Sequence, residues 1–372
     1  MTDVGGAYAL RRWLPLIAPA PGRDAPVHLQ HAIHLASGDL GEHRLPWSSI
    51  MYPANVRYNA CRSFGLDPDF GACAEEFDAA PLRTLQADLD RLGELPPSRI
   101  AAVIATLNCL SEQRLLPDII ERLPDGYADR DGGMMWYQAT RGLRQLGGYD
   151  EFVEDRLARV GLESTPDVGL NSLIQLTSTY LRVARDADRA RWSLEAAEKA
   201  LASLGSDTLF LNALLESRFH RVRALLQIRM GEPVSAISTM ADCVRAAEVA
   251  TTLSAEMSPY SGLLAAENYK IVCESQMKLA GILRNADDLY RWATELIRVD
   301  PLEVMTWRHV GESLISIGAT AAAGRVTLLF AAMGGHGIER LTGRLRETTA
   351  AVVSTPPSFD ETLDRAALAL LP

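Results

Sequence analysis

The sequence predicts an all-α protein, an α-solenoid-like array of stacked antiparallel helical hairpins, and three observations carry that prediction. Helical periodicity dominates from about residue 98 onward. Strand-like alternation of β-branched residues is nearly absent. A hairpin pattern also returns three times in one register: Trp136-Tyr137-Gln138-Ala139-Thr140 with Gly147, His220-Arg221-Val222-Arg223-Ala224 with Gly231, and Trp307-Arg308-His309-Val310-Gly311 with Gly318. In each, a bulky residue precedes a small one by four positions and a glycine by eleven. The small residue lets two helices approach closely and the glycine ends the first helix, so each unit folds back as a pair that must stack on its neighbours.

The helices follow in order. Ser98 to Leu110 and Asp118 to Leu123 are separated by Pro117 and closed by Pro124-Asp125-Gly126, which reads as a first hairpin. Met134 to Leu146 and Asp150 to Val160 form the second, with Gly147-Gly148 at the turn and Gly161 at the end. Leu170 to Ala184 and Asp188 to Leu204 form the third. The fourth pairs Leu209 to Met230 with Pro233 to Ser254, and Pro233 falls in a first turn, where its missing amide hydrogen costs least. Leu264 to Leu283 and Ala286 to Val299 form the fifth, ended by Asp300-Pro301 because proline disfavours helical geometry in the residue before it. Glu303 to Ile317 and Ala321 to Ala332 form the sixth, with Gly311 expected to face Ala323 at the crossing. A last helix, Asp360 to Leu371, is expected to cover the final apolar face.

Residues 1–97 are less regular, richer in proline and glycine, and read as an N-terminal cap or a small separate module; residues 98–372 hold the array. No flexible tether of low-complexity composition separates the two.

The 372 residues are 48% hydrophobic and 23% charged, which argues for a folded chain rather than a disordered one. A formal net charge of −10 opposes nonspecific contact with phosphate backbones and anionic lipid, so neither nucleic acid nor membrane is an expected partner. No apolar run approaches the ~18 to 20 residues a spanning helix needs. The short apolar stretch after Arg11-Arg12 is broken by Pro15, Pro19 and Pro21, unlike an export signal. Five scattered cysteines contain no C-x-x-C pair and fit a reducing compartment, and Cys243 keeps step with Ala236, Met240 and Ala247 as a small core residue. The expected setting is a bacterial cytoplasm.

The hairpins resemble tetratricopeptide repeats over about residues 130–335. With Trp307 at the family's tryptophan, Val310 takes the leucine site, Gly311 the glycine, Leu314 the tyrosine and Ala323 the first alanine of the second helix. Asp300-Pro301 is similar to the family's ending. The tyrosine site is never Tyr, Phe330 is displaced from the second-helix aromatic, and the units lie 84 and 87 residues apart rather than the ~34 of a simple repeat. The resemblance implies that a concave groove formed by the first helices binds a partner. The matching positions are Tyr137, Arg141 and Arg144, then Arg218, Arg221 and Arg229, then Arg308 and Glu312. Arginine recurs among them, and its forked donors suit carboxylate or phosphate.

Catalytic signatures are missing: there is no phosphate loop, dinucleotide fingerprint, His-Glu-x-x-His motif or nucleophile elbow. Asp287-Asp288 fits the acidic first turn of a helix. His31 and His34 lie on the polar side of one predicted helix; unliganded surface histidines are the preferred reading, and with His43 they are the candidate metal ligands the sequence offers. No cofactor is expected. The leading expectation is an adaptor that binds an acidic or extended peptide segment of another protein. The alternative is an enzyme or enzyme subunit of a biosynthetic pathway that uses the histidine module.

Overall fold

The computed structural model describes residues 87–109, 113–205, 209–254, 259–299, 304–332, 337–351 and 353–370. The described residues are all-α, with no β-strand among them. Short α1 (Pro97–Cys109) and α2 (Leu116–Ile120) precede α3 (Arg130–Gly147), α4 (Glu151–Glu163), α5 (Pro166–Thr179), α6 (Ala187–Ala202), α7 (Leu209–Arg229) and α8 (Pro233–Ser254). Then come α9 (Pro259–Ile282), α10 (Ala286–Val299), α11 (Val304–Ser316), α12 (Thr320–Ala332), α13 (Ile338–Glu347) and α14 (Pro357–Leu370).

Local chemistry sets these boundaries. The carboxylates of Asp129, Asp150 and Asp186 accept from backbone N–H groups in the first turns of α3, α4 and α6, satisfying donors that a helix start leaves over. Asn285 does the same for α10 through Asp288. Pro166, Pro233 and Pro357 each open a helix, where no intrahelical donor is needed. Gly148, Gly231 and Gly318 take positive φ at the ends of α3, α7 and α11, the role the repeated motif gave to glycine. In the first unit that residue is Gly148, and Gly147 is the last helical residue.

Each helix from α3 to α12 packs on the next in sequence, and α3, α5, α7, α9, α11 and α13 also touch in turn, each meeting the next but one. The odd-numbered helices thus form a row. Apolar burial follows the chain. One cluster runs from Leu89 to Ala265, a second from Cys273 to Ala366, and a small one around Ala224, Met240, Cys243 and Val272 overlaps the ends of both in the chain, sharing Val244 and Tyr269 with the second. Trp136, Thr140, Ala224, Trp307 and Gly311 are buried, whereas His220, at the bulky position of the second unit, is only half-buried.

Several boundaries differ from expectation. Helix α1 packs chiefly on α3, and α2 also leans on α3, so this pair flanks α3. Gly161 does not end α4 but lies inside it, buried, where a Cβ would meet the Leu173 side chain at 2.7 Å. Gly311 faces Leu341 and Val326 first, at 3.2 and 3.5 Å from an ideal Cβ. Helix α13 was not expected, because Gly337 and Gly343 interrupt a short stretch whose apolar residues are few. The last helix packs on α10 and α12, burying Phe359 5.0 Å from the Tyr290 ring. No helix among the described residues is long and apolar enough to cross a membrane. Most of the N-terminal module lies outside the described residues.

Candidate functional site

The eight positions expected in the groove all lie on odd-numbered helices of the row: Tyr137, Arg141 and Arg144 on α3, Arg218, Arg221 and Arg229 on α7, and Arg308 and Glu312 on α11. The structure divides them into three groups.

Tyr137, Arg141, Arg218 and Arg221 come together. Arg218 and Arg141 are each 7% exposed and Tyr137 is buried, while Arg221 is half-buried. Burial pulls the Arg218 guanidinium down to about 10; the Tyr137 phenol opposes that shift, and the charges of Arg221 and Arg141 add to it. Among the described residues, no carboxylate acts on Arg218. Its Nη1 donates to a neighbouring helix, to Oδ1 of Asn171 on α5 at 3.2 Å. Its Nη2 and the Nδ2 of Asn171 are buried and have no hydrogen-bond partner. Arg144, further along α3, reaches Gln175 of α5, whose amide oxygen, oriented by these donors, accepts from Nε and Nη2 at 2.6 and 2.7 Å.

Arg308 and Glu312 belong to a different, charge-balanced network. Nε of Arg308 lies 3.1 Å from Oε1 of Glu312, which is also 4.0 Å from Arg344 of α13. Beside them, Nδ1 of His309 lies 3.0 Å from Oε1 of Glu274 on α9, and Glu274 also pairs with Lys278. Arg229 joins neither group, being exposed in the last turn of α7. The arginine stripe is therefore not one continuous basic surface. Arg141, Arg218 and Arg221 meet between α3 and α7, and Glu312 accompanies Arg308 on α11.

Sequence reasoning missed Asn171 and Gln175, together with the buried polar residues Glu267, Asn268 and Lys270 of α9. Helices α5 and α9 lack the spacing of bulky residue, small residue and glycine that drew attention to α3, α7 and α11. The available signal was polar residues inside the apolar stripe of α5, Asn171 and Gln175 one turn apart.

A concavity lies between α4 and α6. Tyr149, Glu154, Tyr180, Arg189 and Trp192 line a space of about 1000 Å³. Arg189 stacks 4.6 Å over the Tyr180 ring and pairs with Glu154, so the chain's own guanidinium already occupies its aromatic wall. Burial raises both Tyr149 and Tyr180 above the ordinary phenol range.

His31, His34 and His43 lie outside the described residues. Among the described residues, no group of three or more His, Cys, Asp or Glu side chains is placed to hold a metal ion. No protein-family model, curated protein or solved structure matches the chain. The tetratricopeptide likeness therefore rests on the residues quoted for it.

Proposed function

We propose that this chain is an α-solenoid of antiparallel hairpins that serves as an interaction scaffold, binding an acidic segment of a partner protein along the row formed by α3, α5 and α7. The observation that carries the reading is local charge. In a chain of net charge −10, Arg218 is buried beside Arg141 and Arg221 with no carboxylate among the described residues acting on it. Buried charge normally has a counter-charge. An Asp or Glu side chain of a partner supplies one, and arginine's fork suits a carboxylate. The alternate contacts of the odd-numbered helices support a stacked array, in which such a row forms one continuous face.

The test uses an Asp/Glu-rich peptide and its Asn/Gln counterpart, with binding followed by fluorescence polarisation. The acidic peptide is expected to bind with affinity that falls as salt rises, and the neutral one to bind weakly or not at all. Replacing Arg144 and Arg221 together with alanine should weaken binding ~10-fold or more, given ~1 kcal/mol for each lost charge-assisted contact. A folded double variant with wild-type affinity would remove the row as the site.

A further inference from the structure

We propose that Arg218 and Asn171 form an enclosed oxyanion site between α7 and α5, which takes a phosphate or carboxylate group. Two side chains from different helices meet there, joined from Nη1 to Oδ1 at 3.2 Å. Both are more than nine-tenths buried, at 7% and 3% exposure. The buried polar atoms of the pair that have no partner are both donors: Nη2 of the guanidinium and Nδ2 of the amide. Both donors belong to the two end groups that this bond joins.

The sign of the ligand follows from the neighbours. The side chains that act on Arg218 are Tyr137, Arg221 and Arg141, one phenol and two further guanidiniums. A cation meets like charge there. A water molecule can satisfy the donors but supplies no counter-charge. An oxyanion does both, which is how proteins most often satisfy buried arginine. Inorganic phosphate, a phosphoryl group and a carboxylate share this chemistry. The inference deepens the reading above and rests on it only for the source of the oxyanion, an acidic side chain of the bound segment.

Thermal melts of the full chain in phosphate, in acetate and in chloride at matched ionic strength test the site. Occupancy should raise the wild-type midpoint by ~2 °C or more over chloride. A rise with phosphate alone assigns the site to phosphoryl groups, and a rise with acetate as well assigns it to carboxylates. Arg218→Met should abolish the shift, and Arg218→Lys, which keeps the charge but loses the fork, should weaken the apparent affinity about tenfold. Asn171→Leu gives the same reading should Arg218→Met fail to fold. Wild-type midpoints equal in all three salts, or a full shift retained in Arg218→Met or Asn171→Leu, would overturn the site. Ion-dependent shifts without acidic-peptide binding would instead sink the scaffold reading and leave the oxyanion site standing. Peptide binding unaffected by Arg218→Lys, with no ion-dependent shift, would do the reverse.

Discussion

Arg284 closes α9 with the same pair of backbone hydrogen bonds by which Gly231 closes α7. At Gly231 the bonds are Glu232 N to Gln227 O at 2.8 Å and Gly231 N to Ile228 O at 3.1 Å; at Arg284 they are Asn285 N to Ala280 O at 2.9 Å and Arg284 N to Gly281 O at 3.2 Å. Both residues take the left-handed conformation, φ 79° for the glycine and 53° for the arginine, and Arg185 after α5 follows at 55°. A side chain there costs ~1 kcal/mol that glycine avoids, partly offset by glycine's freer unfolded chain. Arg284→Gly should therefore raise stability by ~0.5 kcal/mol, and Gly231→Ala should lower it by ~1 kcal/mol. Urea unfolding checks both, and a clear loss of stability in Arg284→Gly would contradict the shared closure.

Glycines inside helices separate by what they face. A Cβ on Gly169 would lie 2.8 Å from the backbone oxygen of Gly161, whereas one on Gly311 would meet the tip of Leu341 at 3.2 Å. Backbone cannot step aside and a leucine tip can. Gly169→Ala should cost ~2 kcal/mol or more, Gly311→Ala less than ~1 kcal/mol, and Gly311→Leu ~1 to 3 kcal/mol because extra methylenes enter a filled crossing. Arg308→Ala, which removes a half-exposed pair one turn long, should change stability by no more than ~0.5 kcal/mol. Thermal melts that reversed the order of Gly169→Ala and Gly311→Ala would refute the α4–α5 contact.

Arg156 is packed among aromatic rings, its guanidinium carbon 4.6 Å from the centroid of Trp136, 5.2 Å from Phe152 and 5.6 Å from Tyr127. It also donates to the Tyr127 hydroxyl. Arg156→Ala should cost ~1 to 3 kcal/mol through lost stem packing and cation–π attraction. Arg156→Lys should recover only part of this, because ammonium lacks the flat face that lies on the rings. Equal stability of the alanine and lysine variants would show that the charge adds nothing.

Acid should weaken the α9–α11 contact. Burial pushes the Glu274 carboxyl upward, but the hydrogen bond to His309 and the Lys278 ammonium outweigh it and hold the group well below its ordinary value of 4.5. A carboxylate depressed in the folded state stabilises it at pH above the ordinary value and loses that contribution as pH falls toward the folded value. Glu274→Gln should therefore lower stability at neutral pH by ~1 to 3 kcal/mol and flatten the decline below pH ~4.5. Parallel acid limbs for the two proteins would refute it.

Two thiols should be inert in the folded protein. Burial pushes Cys243 up to about 11 and Cys273 up to about 12, and Sγ of Cys243 donates to the Ser217 carbonyl at 3.1 Å. Since the thiolate is the nucleophile, alkylation at pH ~8 should leave both unmodified until denaturant is added. Peptide mapping after iodoacetamide treatment reads this directly, and labelling of Cys243 in native protein would contradict its burial.

Read alone, the sequence determined that the chain is helical and where most helices of the array begin and end. The helix spanning Pro233–Ser254 was drawn with the bounds the structure has, and Leu209–Arg229 differs by one residue. Those signals are local: an apolar stripe, a capping carboxylate or asparagine, a proline in the first turn, a glycine after the last. At Arg185 and Arg284 an arginine takes the left-handed conformation that glycine takes at Gly231, so the closing residue of α5 and α9 carries no glycine signal, although the ends read there, Ala184 and Leu283, fall within one residue of the structure's. The tertiary structure alone decided which arginines are buried together and which are paired or exposed. It buries Arg141 and Arg218 together, exposes Arg229, neutralises Arg308 with Glu312 and brings Asn171 to Arg218 across 47 positions of chain. Burial and charge pairing depend on which helices meet, and that is set by the packing of residues far apart in sequence rather than by the period of any one helix.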